Sequence, residues 1–459
     1  WEGYYPEELH IKYVTNGVHF PTWVSRSALE LYKEYLDPQI EEKQYVRAIW
    51  NKIQEVPDSE IWALRQQLRQ NLFVYLRHKM MNNLQNRQES PKLTLERIEK
   101  LNENYLTIGF ARRFATYKRA HLLFRNLKRL ASLVNNPERP IQFLFAGKAH
   151  PSDKAGQDII RRIVEISQMP EFIGRIIFIE DYDMDLAKML IQGVDVWLNN
   201  PTRPLEASGT SGEKAIMNGV VNCSVLDGWW AEGYIQGAGW ALKEERTYNN
   251  QDLQDELDAE TLYHLFENEI ASAFYQRNNE GISEKWVSHV KNTISGIAPQ
   301  FTMRRQLDDY YDRFYTPMLE RRKVLFNNEC EAIRNLANWK QKILISWESI
   351  EVVSVEIPDS TVKPLLLNET FKASIVLNLH ELDSKEIGVE IVFGQKEFDV
   401  VKTIHFVEEM KASEKHNGCI EYSCSIPVNR SGVYDYSFRI YPRNPLLKYR
   451  QDFPVIKWI

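Results

Sequence analysis

Cysteine is scarce in this chain, with four among 459 residues: Cys223, Cys330, Cys419 and Cys424. None stands in a metal-spaced pair, and the rest of the text offers no ligand cluster in its place. A disulfide framework and a bound metal are therefore not expected, and the thiols read as free, buried or half-buried groups. An excess of positive charge is also lacking. Lys and Arg total 57 against 63 Asp and Glu, a net charge of -6. A nucleic-acid partner needs a basic face, and this balance gives no support for one. No run of 18 or more apolar residues occurs, so no membrane span is expected. Nor does the chain open on a secretory leader, and the expected location is cytoplasmic. Internal repeats, low-complexity tracts and the phosphate-loop pattern G-x-x-x-x-G-K-[ST] are missing as well.

What remains is a globular composition, 43% hydrophobic and 26% charged, with length for two to four domains. Residues 1–24 are aromatic and loop-like, and 25–100 repeat apolar residues at helical spacing. The period then changes. Short apolar runs, "YLTIGFA" (105–111), "IQFLFAG" (141–147), "RIIFIED" (175–181), "VDVWLN" (194–199), "VVNCSVLD" (220–227) and "GAGWALK" (237–243), alternate with helix-like stretches. Five or six buried-type strands between helices predict a parallel α/β sheet covered on both faces. Residues 250–345 return to helix, including a long amphipathic stretch at 300–328. From about 350 the period is two, and about seven strands with short turns predict an antiparallel β-sandwich.

In an open α/β sheet, ligands bind at the carboxyl ends of the strands. Arg112, Arg113, Lys118 and Arg119 follow the first run, four cations in eight residues. A solvated helix start accounts for them, and so does an anion site, since cations at a helix start oppose the dipole unless an anion is present. Arg suits forked contacts to phosphate and Lys supplies a point charge. The stretch "PLEASGTSGEKAIMNGVV" (204–221) shows the same breach. Thr210 and Glu213 are spaced as a capping box, yet Lys214 stands in the first turn. Lys214 reads either as a side chain reaching to water or as an amine held near a phosphate pocket, able to form a Schiff base with a cofactor aldehyde. Glu206 suits sugar hydroxyls or a neighbouring Arg, and His19 in "TNGVHFP" is by itself a structural residue as readily as a ligand. Twelve Trp and 22 Tyr suit sugar stacking but also fill cores.

Taken together, "GFARRFATYKRA" (109–120), "FAGKAHP" (145–151), "IEDYDMDLAKMLIQGVDVWLNNPTRPLEASGTSGEKAIMNG" (179–219) and "LDGWWAEGY" (226–234) resemble the α-glucan phosphorylases, the glycogen, starch and maltodextrin enzymes, in their short bacterial form. The resemblance covers roughly residues 10–320. It implies the GT-B architecture of two facing Rossmann-like domains. Residues 1–100 would be the end of the first domain with a helical segment, 101–345 the cofactor-binding catalytic domain, and 350–459 the sandwich as an accessory domain. It implies pyridoxal 5'-phosphate as cofactor, with Lys214 as the Schiff-base lysine and Tyr182 beside the pyridine ring. Arg113 and Lys118 would bind the substrate and cofactor phosphates, with Thr210 and Ser211 as nearby donors. Glu206, Ser208, Gly209 and His19 would hold the transferred sugar. The implied reaction is reversible phosphorolysis, in which inorganic phosphate and an α-1,4-glucan give glucose 1-phosphate with retention.

The family's first half, including a glycine-rich loop over the cofactor, has no counterpart here, and the chain starts at Trp1. A piece of a longer polypeptide is expected, inactive or nearly so by itself, with the N-terminal half of the same enzyme as its partner and a homo-oligomer as the assembled form. Two other functions fit the sheet: a GT-B glycosyltransferase using a sugar nucleotide, which needs no cofactor lysine, and a non-catalytic glucan-binding module carried by the sandwich.

Overall fold

The computed structural model describes residues 1–82, 90–243, 248, 250–358, 365–397, 400–414 and 418–459. Residues 83–89, within the expected helical stretch 25–100, lie outside the described set. The chain divides into two compact units, Val14–Asp312 and Trp1–Tyr13 together with Arg313–Ile459.

In the first unit, six short strands form one parallel sheet: β1 Leu106–Ala111, β2 Ile141–Ala146, β3 Ile176–Ile179, β4 Val196–Asn199, β5 Val221–Val225 and β6 Gly239–Leu242. Their order is β3-β2-β1-β4-β5-β6: the parallel sheet expected from the alternating runs, in the Rossmann arrangement that the resemblance implies. Parallel strands are buried on both faces, and these show it. Phe143 and Phe145 of β2 join one apolar cluster, while Leu144 and Ala146 join another. In β4, Val196 and Leu198 part from Trp197 in the same way. Side chains alternate across a strand, so the two clusters are the two faces of the sheet.

The Asp58–Asn82 helix lies against the β1–β4 junction and is fixed there by two buried arginines. Arg65 donates to the carbonyls of Gln192 at 2.7 Å, Val194 at 2.5 Å and Asn218 at 2.8 Å. Arg69 pairs with Asp195, and Asp195 accepts from the Thr107 N–H at 3.0 Å. These contacts hold the strand ends at the centre of the sheet, where the chain reverses its direction of travel.

In the second unit, the described residues form eight strands in two antiparallel sheets: β7 Glu351–Glu356, β8 Thr370–Asn378, β9 Ile387–Glu397, β10 Val400–Glu409, β11 Lys411–Ala412, β12 Cys419–Pro427, β13 Asp435–Pro442 and β14 Lys457–Trp458. The orders are β10-β9-β13-β14 and β11-β12-β8-β7. Ile375 and Leu377 of one sheet share a cluster with Val389, Ile391 and Ile440 of the other, which is the interior of the expected sandwich. The run "FPVIKWI" gives only the two-residue edge strand β14. Residues 1–13 pack on this unit. Trp1 Nε1 donates to the Gln451 carbonyl at 3.0 Å, and Trp458 Nε1 to that of Gly3 at 3.2 Å. His10 stacks on Tyr449 with centroids 4.0 Å apart.

The long helix expected at 300–328 runs over 303–326, with its regular winding interrupted in the middle. Met303–Tyr310 and Thr316–Phe326 are α-helical, with a wider π-type turn at Tyr311–Tyr315 between them. None of these residues is buried, so the apolar positions are not the core-facing stripe that their spacing suggests.

Candidate active site

β1 and β4 are neighbours in the sheet, but the chain leaves them toward opposite edges. Such a switch point opens a crevice at the carboxyl ends of the two strands. Arg112 is the first residue after β1, and Asn199 ends β4. The Arg112 guanidinium donates to Asn199 Oδ1 and, at 2.5 Å, to Glu206 Oε2. Lys118 Nζ donates to the same Glu206 oxygen. All three charged side chains are less than a tenth exposed. Burial lowers the Arg112 pKa, and the Glu206 charge opposes that fall.

Further contacts hold this cluster in place. The Glu206 N–H donates to Asp227 Oδ2 at 2.9 Å, and Asn199 Nδ2 to Ser224 Oγ at 3.2 Å. The Trp229 N–H donates to the Ser208 carbonyl at 2.9 Å. The loops after β4 and β5 are thereby tied together around Glu206. A single carboxylate holding two buried cations is an anion-shaped arrangement: remove or turn the carboxylate, and two strong donors face one space.

The helix that follows, Thr210–Ile216, corrects the expected capping box. Its N-cap is Gly209, at φ 83°, in the left-handed region that favours glycine. Thr210 is already inside the helix, and Gly209 has no side chain with which to cap it. Glu213 is fully buried and does not reach back, for neither of its oxygens has a hydrogen-bond partner among the described residues. Ser211 Oγ accepts from Trp197 Nε1 at 3.1 Å, so its hydroxyl is turned toward β4. Thr210 is half-buried.

Lys214 is half-buried, with Nζ 4.1 Å from the centroid of the Trp23 ring. Burial lowers its pKa, and Glu213 works the other way. No carboxylate forms an ion pair with it among the described residues. Trp23 and Tyr182 both pack against the apolar cluster that contains Ala215, the residue after Lys214. Burial, aided by Asp183, raises the Tyr182 hydroxyl above its ordinary value.

Two expected residues stand apart from this cluster. Arg113 is exposed and makes no hydrogen bond or ion pair among the described residues. His19 is also exposed, with Nδ1 2.7 Å from Thr22 Oγ1. The loop leading into His19 is clamped from the other end of the unit. The Val18 N–H donates to the Phe301 carbonyl at 2.8 Å, the Gly17 N–H to Gln306 Oε1 at 3.0 Å, and Arg305 Nη2 to the Thr15 carbonyl at 2.8 Å.

Sequence reasoning gave no separate role to Arg112, Asn199 or Trp23. Arg112 stood in the cation cluster, but the resemblance gave weight to its neighbour. Asn199 was signalled by a polar pair ending an otherwise apolar strand. Nothing in the sequence signalled that Trp23 lies under Lys214.

A family model described as carbohydrate phosphorylase matches residues 1–233, and one described as glycogen phosphorylase C-terminal domain matches residues 347–459. The maltodextrin phosphorylase of Thermococcus litoralis is 35% identical over 463 residues, covering 100% of this chain and 53% of the relative. The glycogen phosphorylase of Aquifex aeolicus is 43% identical over 314 residues, 68% of this chain and 45% of the relative. That of Mycobacterium tuberculosis is 33% identical over 451 residues, 97% of this chain and 51% of the relative. The chain spans about half the length of these relatives. With its cations gathered at the switch point of a parallel sheet, and a family match running through that sheet and the Lys214 helix, the chain belongs to the carbohydrate phosphorylase family.

Proposed function

We propose that this chain carries the phosphate-handling side of an α-1,4-glucan phosphorylase site. The reaction is reversible transfer of a terminal α-1,4-linked glucose from glycogen, starch or maltodextrin to inorganic phosphate, giving glucose 1-phosphate with retention. The observation that carries this reading is the convergence of Arg112 and Lys118 on Glu206 at the switch point, with Arg113 free nearby. The names of the relatives, glycogen and maltodextrin phosphorylase, agree with it.

The residues present also fit pyridoxal 5'-phosphate. Lys214 offers an amine that burial makes easier to deprotonate and that no carboxylate pins as an ammonium ion. It would hold the cofactor's aldehyde carbon, Tyr182 would lie by the ring, and Thr210, Ser211 and Lys118 would hold the phosphate. When bound, the cofactor supplies a phosphate that serves as acid and base toward the substrate phosphate. The chain's own residues do the rest. Arg113 and Lys118 neutralise the two phosphates, which would otherwise repel each other in one small space. Arg112 holds Glu206 in place. Glu206, Ser208, Gly209 and His19 orient the hydroxyls of the transferred sugar. The division of the sequence at 1–100, 101–345 and 350–459 is part of the same proposal, as are a homo-oligomeric assembly, a cytoplasmic location and the other half of the relatives' length as the partner that completes the cleft.

A sugar-nucleotide glycosyltransferase would share the strand-end cations but would have no use for Lys214. The test is to incubate the chain with pyridoxal 5'-phosphate, fix it with borohydride and map the modified peptide. Modification at Lys214, lost in Lys214→Ala, is the expected result. Glucose 1-phosphate formation from maltodextrin and inorganic phosphate is then measured with the relatives' other half supplied. A completed protein that takes up no cofactor and makes no glucose 1-phosphate overturns the reading.

A further inference from the structure

On and near the first turn of the Thr210–Ile216 helix, several buried polar atoms have no hydrogen-bond partner among the described residues. Both Glu213 oxygens, Ser208 Oγ, both polar atoms of the Asn222 side chain and Trp229 Nε1 lack partners. Glu213 and Asn222 are fully buried, and Trp229 is 1% exposed. Gly212 lets Asn222 and Trp229 close on this turn. A Cβ at that position would lie 2.7 Å from Trp229 Cζ2 and 2.9 Å from both Trp229 Nε1 and Asn222 Oδ1, so only glycine lets the turn close on these groups. Buried donors and acceptors are normally met in native proteins, so these groups stand out.

We propose that Glu213 is a positioning residue for Lys214: fully buried, with neither oxygen hydrogen-bonded among the described residues, its carboxyl holds a proton and so leaves the adjacent amine without a counter-ion, ready to take its neutral form. The surroundings of Glu213, fully buried and offering its oxygens no donor among the described residues, argue for the proton. A carboxylate buried without hydrogen bonds is costly, and neutralisation removes the cost. Charged groups face Glu213 from three elements: Arg305 of the Met303–Tyr310 helix, Glu232 of the Trp229–Gly233 helix, and Lys214 of its own. Arg305 and Lys214 favour ionisation and Glu232 opposes it, while the nearby Ser208 hydroxyl favours it without reaching hydrogen-bond geometry. Burial outweighs them and pushes the carboxyl up to about 8. Below that pH no carboxylate beside the amine opposes the effect of burial. Above it, the new carboxylate favours the ammonium form.

The inference concerns Lys214 as the cofactor-holding residue and rests on the proposed function in that respect, but its test needs no cofactor. The chain is pulse-labelled with acetic anhydride across a pH series, and acylation of Lys214 is read by mass spectrometry. In the parent chain the rate should climb with pH and then lag near about 8 as Glu213 ionises. In Glu213→Gln the lag should vanish, leaving Lys214 about threefold more reactive above that pH. Superimposable profiles overturn the proposal. A second measurement needs no variant. With glutamate carboxyls isotopically labelled, infrared spectra of the parent chain should show a protonated carboxyl at neutral pH that is lost through about 8. Its absence at neutral pH overturns the proposal even if the variant fails to fold. A chain that takes up no cofactor would overturn the proposed function and leave both readouts intact.

Discussion

The Lys214 amine rests on the face of Trp23, with Nζ 4.1 Å from the ring centroid. A cation over an indole gains about 0.5–2 kcal/mol, which favours the ammonium form and offsets part of the burial that disfavours it. Trp23→Leu should therefore lower the pH at which Lys214 becomes reactive by about 0.5–1 unit. Site-resolved acylation measures that midpoint, and an unmoved midpoint would mean that the ring only packs.

The Trp23 contact also marks the limit of what could be read in advance. The six parallel strands were legible because strands buried on both faces are written as continuous apolar runs, and Lys214 because it breaks a local electrostatic rule. What packs beneath it was not, since Trp23 comes from a distant segment and spacing carries no information about such meetings. The pairing of Arg112 with Glu206 was hidden for a similar reason, since the carboxylate comes from the loop after another strand and spacing along the chain does not show that the two meet. The helix cap failed differently. Ser208, Thr210 and Ser211 are all good capping residues, and the left-handed backbone at Gly209 decided against every one of them. At 303–326 the apolar spacing was real but was not evidence of burial, because an apolar stripe records only which side chains share a helix face.

Glu206 is the only negative charge that Arg112 and Lys118 contact among the described residues, apart from any anion they bind. Glu206→Ala should leave two buried cations facing each other and cost about 3 kcal/mol of stability. Inorganic phosphate should then replace the lost charge. The expected outcome is a lower Tm in the variant, with a larger rise on adding phosphate than the parent shows. Equal responses in both would remove the cluster as an anion site.

Arg69 and Asp195 form a buried pair at 2.6 Å, with side chains 5% and 0% exposed. Asp195 also accepts from the β1 backbone at Thr107. Asp195→Ala should cost about 3–5 kcal/mol in chemical denaturation, since it strands both the guanidinium and the Thr107 N–H. Asp195→Asn should cost less, because the amide oxygen can still accept from Thr107.

Residues 1–13 are held to the sandwich by charge as well as by rings. The guanidinium of Arg439, with no exposed surface, contacts Glu8 and Glu390, and Arg450 contacts the same two carboxylates. Glu8→Ala leaves Glu390 to balance two cations and removes the strap's only ion pairs to Arg439 and Arg450 among the described residues. Trypsin should then cleave at the exposed Lys12 several-fold faster than in the parent, while cleavage elsewhere in the chain is unchanged.

His289 supplies a pH-dependence whose sign can be worked out. Its ring packs 4.5 Å from that of Trp240, and burial, with Lys285 nearby, lowers its pKa from an ordinary 6.5 to about 4. The folded chain therefore refuses a proton that the unfolded chain accepts between those values. Stability from this group is fully present above about 6.5 and is lost as pH falls toward about 4. Asp255 acts in the same direction but lower on the scale. Burial works to raise it, yet hydrogen bonds from His121 and Arg119 hold it well below the usual carboxylate range, so its contribution is lost only below its ordinary value of 3.8. The two windows separate the two groups. His289→Phe should flatten denaturation midpoints between about pH 6.5 and 4 and leave the steeper loss below that range in place. A variant that keeps the parent's slope in the upper window would show that the acid loss there comes from other groups.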